Sequence, residues 1–138
     1  MNIRFVAGFG PLVRDVEASR AFYADALGLG FESEVGDYRY TEALDGVKHM
    51  GLWPLSEAAQ ACFGRPEWPE EIPTPQATIE FDLGSAEEVA EAASELQGRG
   101  YRLLHGARTE PWNQTVARLL SPEGLLVGIA YTPGHHGG

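Results

Sequence analysis

Helix punctuation recurs in this chain at a single spacing, and that constrains the fold more than any other feature. Asp15 precedes "VEASRAFYADAL" and Ser85 precedes "AEEVAEAASEL", 70 positions further on. "GLGF" at Gly28 to Phe31 returns as "GRGY" at Gly98 to Tyr101, again after 70 positions. An Asp or Ser before an apolar-periodic run accepts hydrogen bonds from first-turn amides, and a glycine after it can take the left-handed conformation that ends a helix. Ser85 with Glu88 forms a capping-box pair. The spacing predicts two helices, with buried stripes Val16, Phe22, Tyr23, Ala26, Leu27 and Val89, Ala92, Ala93, Leu96.

Strand-like segments surround each helix in the same order. "IRFVAGFGPLV" precedes the first, and "FESEVG", "YRYTEAL" and "KHMGLWPL" follow it; "ATIEFDL" precedes the second, and "YRLLHG", "TVARLL" and "LLVGIAYT" follow. The prediction is an α+β fold of two βαβββ modules, one structural domain over residues 1–132. The first module takes 1–53 and the second 77–132, with a tail at 133–138. Residues 54–76 between them hold five prolines, too many for a regular element, and read as an extended arm with Trp68 as its apolar anchor. "SEAAQACF" within it has the composition of a short helix.

Composition narrows the partners. Twenty acidic against ten basic residues give a net charge of −10, which repels phosphate backbones and argues against nucleic acid. The same charge suits a cationic small molecule, and also simply solubility. No apolar run approaches the ~20 residues that cross a bilayer, so no membrane partner is expected. The N-terminus lacks the pattern of a signal peptide and the single cysteine, Cys62, excludes an internal disulfide, so a cytoplasmic setting is expected. Cys62 reads as an incidental thiol in a surface loop, and "GHHGG" as a mobile tail with no metal site.

"DVEASRAFYADALGLGFE" resembles the first helix signature of the vicinal oxygen chelate superfamily, and "SPEGLLVGI" resembles its Asp-Pro-x-Gly turn and last strand, with Ser121 in place of the aspartate. That group contains glyoxalase I, extradiol dioxygenases, metal-dependent fosfomycin resistance enzymes and bleomycin resistance proteins. The resemblance implies a cupped mixed sheet with helices on its outer face and a cavity usually completed in a homodimer. It also implies four metal-ligand positions, which fall here on Gly8, Gly51, Thr78 and Gly128. Glycine offers no side-chain donor and threonine is a poor ligand for divalent ions, so no family metal centre and no cofactor are expected.

Strand alternation extends the lining. With those four positions inward, His49, Trp53 and Glu80 share their faces, over a hollow widened by the glycines. Each glycine has an equal alternative in a bulge or tight packing. Trp112, Asn113 and Gln114 belong to the loop at the cavity mouth, and Trp53 and Trp112 are placed to sandwich a planar ligand. Tyr38 and Tyr40 share one face of their strand without the sequence saying which, Arg118 points inward or makes a surface ion pair, and Trp68 docks in a groove or on a partner chain. The resemblance implies metal-independent binding and sequestration of a bulky aromatic or cationic natural product, as in bleomycin resistance proteins. The alternative is a glyoxalase-like lyase, isomerase or dioxygenase acting on a small organic substrate, with His49 or Glu80 as base.

Overall fold

The computed structural model describes residues 1–34 and 36–136. Strand β1 (Phe5–Val13) leads to helix α1 (Val16–Arg20), which continues as a π-helical segment, Ala21–Ala26. Strands β2 (Arg39–Thr41) and β3 (His49–Pro54) follow, then helix α2 (Leu55–Phe63). Strand β4 (Ala77–Asp82) and helix α3 (Ala86–Gly98) open the second half, and β5 (Leu103–Thr109), β6 (Thr115–Leu120) and β7 (Leu126–Tyr131) complete it. A 3-10 turn, Pro133–His135, ends the described chain.

The strands form one seven-stranded mixed sheet in the order β2-β3-β1-β4-β7-β6-β5. The repeat is visible in that order. The opening strands β1 and β4 run antiparallel side by side at the centre, and each is flanked by a parallel partner, β3 and β7 respectively. The register repeats too: Gly8 stands opposite His49, and Thr78, 70 positions on, stands opposite Leu126. Gly51 and Gly128 are therefore equivalent positions, two residues beyond those partners.

The caps form as their residue types demand. Asp15 Oδ1 accepts from the Ala18 amide at 3.0 Å, and Ser85 Oγ accepts from the Glu88 amide at 3.2 Å. The two Gly-x-Gly marks act differently: Gly28 is left-handed at φ 77°, whereas α3 runs through Gly98 and the left-handed residue is Gly100, at φ 94°. Ser121 replaces the expected aspartate without loss of the turn, its Oγ accepting from the Leu125 amide at 3.0 Å.

Two apolar clusters hold the sheet. On one face α3 lays Val89, Ala92 and Ala93 against Leu83, Ala117, Leu119 and Ile129. On the other, α2 packs Ala58 and Cys62 against Leu12 and Leu126, with Trp53, Phe63, Trp68, Leu104 and Leu120 around them. Small side chains let α2 approach closely, so this helix fills one end of the concave face. Cys62 is therefore buried on α2, not in a surface loop, and burial pushes its thiol pKa up, which leaves it poorly nucleophilic.

Three further expectations change. The first helix buries none of its residues; Phe22 and Leu27 are more than half exposed. "FESEVG" forms no strand among its described residues: Glu32 alone bridges to Tyr40, and Glu, Ser and Gly are weak strand formers. Val35 of that segment, with Gly137 and Gly138 of the tail, lies outside the described residues. The rest of the tail folds back, His136 Nε2 meeting the buried Asp82 carboxylate and its ring packing between Phe5 and Tyr131.

Candidate functional site

One row of residues crosses six strands and organises the concave face. In register it reads His49, Gly8, Glu80, Gly128, Arg118, His105. Glu80 is thus flanked by two glycines, and its side chain uses the room they leave. A Cβ on Gly8 would stand 3.2 Å from Glu80 Oε1, and one on Gly128 would stand 3.0 Å from Glu80 Cγ. At Gly51 the vacated space belongs to Tyr38, whose hydroxyl oxygen would lie 2.2 Å from an added Cβ. The glycines therefore do not simply widen the hollow; they seat a carboxylate and a phenol.

Those facts test the family metal positions. Gly8, Gly51 and Gly128 have no donor, and the Thr78 hydroxyl donates to the Leu126 carbonyl at 2.9 Å. The four positions do not fit a metal ion.

A cavity of about 620 Å³ lies over the row, lined among others by Gly8, Gly10, Tyr38, Tyr40, His49, Gly51, Trp53, Thr78, Glu80, Trp112, Gln114 and Arg118. This volume lies in the range of drug-sized ligand sites. Tyr38 and Tyr40 both face inward. Their rings stand nearly parallel to each other and to His49, with centroids 5.1 to 6.0 Å apart. The Glu42 carboxylate can only accept, so His49 Nδ1 donates to it at 2.9 Å, and Nε2 accepts from the Tyr38 hydroxyl at 2.5 Å. Burial, then the nearby Glu80 carboxylate, raise the Tyr38 pKa and keep its hydroxyl neutral. Tyr40 donates to Glu34 at 2.9 Å, and that bond is the main cause of its pKa rising to about 12.

A second chain joins the rim to the centre: Trp112 Nε1 donates to Gln114 Oε1 at 2.8 Å, and Gln114 Nε2 donates to Glu80 Oε1 at 2.9 Å. Arg118 is buried, 1% exposed, and donates to Glu110 at 3.0 Å and to His105 Nε2 at 3.2 Å. Its guanidinium stands 5.3 Å from the Trp53 ring, while Nε and Nη2 have no partner among the described residues. His105 Nδ1 donates to the Gly106 carbonyl, which leaves Nε2 free to accept from Arg118.

Burial, with the Arg118 charge beside it, lowers the His105 pKa to about 4. Its folded value is below its unfolded value, so the unfolded chain binds more protons between those values. The stability this group contributes is complete above about pH 6.5 and falls as pH drops toward 4. Chemical unfolding of the parent and His105→Gln across that window should show a flatter profile for the variant. Parallel profiles would contradict the assignment.

Three residues read as lining sit elsewhere. Asn113 is exposed in the β5–β6 turn with φ 62°, a left-handed conformation that asparagine tolerates better than most residues. Trp68 packs edge-on against Phe63 at 4.8 Å and donates to the Ile72 and Pro73 carbonyls, so the arm uses it internally. Gly128 lies beneath Glu80 and does not reach the cavity. The tryptophan sandwich is also revised: Trp53 already has Arg118 over one face, at the α2 end, and Trp112 stands exposed at the rim. Glu34, Glu42, Glu57 and His135 line the cavity without having been read from the sequence. His135 belongs to the "GHHGG" segment expected to be a mobile tail, and the structure instead turns it back to the cavity rim.

A cupped sheet built from a duplicated strand-helix-strand unit, with a walled pocket on its concave face, defines a class of small-molecule-binding and enzyme scaffolds. The chain belongs to the Glyoxalase/Bleomycin resistance protein/Dioxygenase superfamily, whose family model matches residues 9–129. A superfamily member from Vibrio splendidus 12B01 superposes with a TM-score of 0.60 at 18% identity, covering 94% of this chain and 99% of that one. A Streptomyces coelicolor methylmalonyl-CoA epimerase (S115T), in complex with 2-nitronate-propionyl-CoA, gives 0.58 at 17% identity, covering 96% of each chain. At these identities the likeness is one of fold. A search of curated protein sequences finds no match. Among the described residues no helix is long and apolar enough to cross a membrane.

Proposed function

We propose that this chain binds a bulky aromatic or cationic small molecule in the concave cavity and holds it without chemical change, as a sequestering protein of the bleomycin resistance type. The observation that carries this reading is the content of the family ligand positions. Three are glycine, and Glu80 and Tyr38 fill their space, so the face offers a binding surface where a coordination sphere would otherwise be. Near-parallel rings supply stacking area, and Glu34, Glu42, Glu57 and Glu80 favour a cationic ligand.

The working unit is a homodimer in a reducing cytoplasm. Exposed Val6, Phe9, Phe22 and Leu27 supply apolar area for a partner copy, and the lone thiol suits that compartment. A monomer by light scattering at micromolar concentration would remove the dimer from the reading.

Trp112 is the rim residue to test first, because it is exposed and contributes nothing to either apolar cluster. A screen of quinones, enediyne-like compounds and glycopeptides by tryptophan fluorescence identifies a ligand, and mass spectrometry checks that it is recovered unmodified. Trp112→Ala should then weaken binding by on the order of 1–3 kcal/mol while the melting temperature stays near the parent's. Unchanged affinity would take Trp112 out of the site, and turnover of the ligand would overturn sequestration.

A second reading has its own observation. Glu42, His49 and Tyr38 form a hydrogen-bonded series with a base oriented by a carboxylate, an arrangement suited to proton transfer in a metal-free isomerase or lyase. Turnover abolished by His49→Gln would favour it.

A further inference from the structure

We propose that Glu42, His49 and His135 form a binding site for a divalent transition metal of zinc-like preference, at the mouth of the cavity and apart from the four family positions. The three side chains come from separate parts of the fold: the loop after β2, the first residue of β3, and the terminal 3-10 turn. One donor atom from each lies within 4.8 Å of the others. Glu42 Oε2 is 2.9 Å from His49 Nδ1 and 3.8 Å from His135 Nε2. Ligand atoms about 2.0–2.1 Å from zinc at tetrahedral angles stand ~3.4 Å apart, so these separations straddle the required one. Two imidazoles and a carboxylate also match the donor preference of zinc, copper, nickel and iron.

The surroundings support ligation. His49 Nε2 is held by the Tyr38 hydroxyl, so the ring orientation is set from outside the cluster. On metal binding the tautomer reverses, Nε2–H donating to the Tyr38 oxygen and Nδ1 presenting its lone pair. His135 is fixed because its neighbour His136 is anchored on Asp82, and His135 Nδ1 is buried with no partner among the described residues. Glu34 and Glu57 line the same cavity and add negative potential. Three protein ligands leave a coordination position for water or for an oxygen or nitrogen donor of a molecule in the cavity.

Isothermal titration of the apo-protein with Zn²⁺, and Co²⁺ absorption as a spectroscopic report, test the proposal without any assay of activity. The parent should bind one equivalent per chain and give a cobalt ligand-field spectrum. His135→Ala and Glu42→Gln should each weaken binding at least about tenfold and alter that spectrum. Both substitutions lie in surface segments, and circular dichroism verifies folding. Tyr38→Phe should weaken binding less while retaining the spectrum. Absence of saturable binding by the parent, or binding that survives both substitutions, would overturn the site.

Discussion

Glu110→Gln should destabilise the protein by about 3–5 kcal/mol, the cost of stranding a buried charge. Among the described residues Glu110 is the only carboxylate hydrogen-bonded to the buried Arg118, and the other guanidinium contacts do not replace it. His105 Nε2 is a neutral acceptor, the Trp53 ring supplies one face, and Nε and Nη2 are already unpaired among the described residues. Stabilities of whole domains are about 5–15 kcal/mol, so this loss should be plain in a urea titration as a large fall in midpoint with little change in slope. Converting both members together, Arg118→Met with Glu110→Leu, should recover most of it, because neither then leaves a buried charge. A loss below about 1 kcal/mol for the single variant would mean that the pair is solvated and that Arg118 is not the deep wall of the cavity.

Gly10→Ala should cost more than about 3 kcal/mol, beyond ordinary overpacking. A Cβ there would sit 1.9 Å from the Gly51 carbonyl oxygen and 2.9 Å from its carbon. Both atoms are backbone, so no rotamer change relieves the contact; β1 and β3 would have to separate. Gly8→Ala, two residues away, is the control. Its Cβ is tight only against Glu80 Oε1, at 3.2 Å, with Glu80 Cβ and Cδ at an ordinary 3.6 Å. The carboxylate can swing aside at the loss of its Gln114 hydrogen bond, so the cost should stay under about 2 kcal/mol. Thermal melts of the two variants decide the matter: similar losses would remove the distinction between a backbone pinch and a side-chain seat.

This contrast shows what could be read from residues alone. The repeat was legible because helix caps and turn glycines are local devices: Asp15, Ser85, Gly28 and the Ser121 turn act within a few residues of themselves. Alternation likewise placed His49, Trp53 and Glu80 on the concave side, since period two needs only one fixed position. What alternation does not give is occupancy. It marks Gly8, Gly51 and Gly128 alike as hollow, whereas Gly8 and Gly128 seat Glu80, Gly51 seats Tyr38, and the neighbouring Gly10 faces backbone. Trp68 misled for a related reason, since an indole on a proline-rich arm is free to reach outward or to bond its own carbonyls. Arg118 is drawn inward by Glu110, which meets it from the far side of the turn and which alternation alone does not reveal. His135 reads as part of a mobile tail because its position depends on His136 reaching Asp82, a contact 54 residues away in sequence.

The seat of α2 across one end of the concave face has a kinetic consequence. With Ala58, Cys62, Trp53 and Leu126 packed there, the trough is closed at that end, and its opposite rim carries Glu42, Pro111, Trp112 and His135. A molecule leaving the cavity retraces its path of entry past those side chains. For a ligand bound as proposed, residence time is then governed by the rim: trimming Trp112 speeds departure more than arrival, whereas changes at the buried Arg118 end act on departure alone.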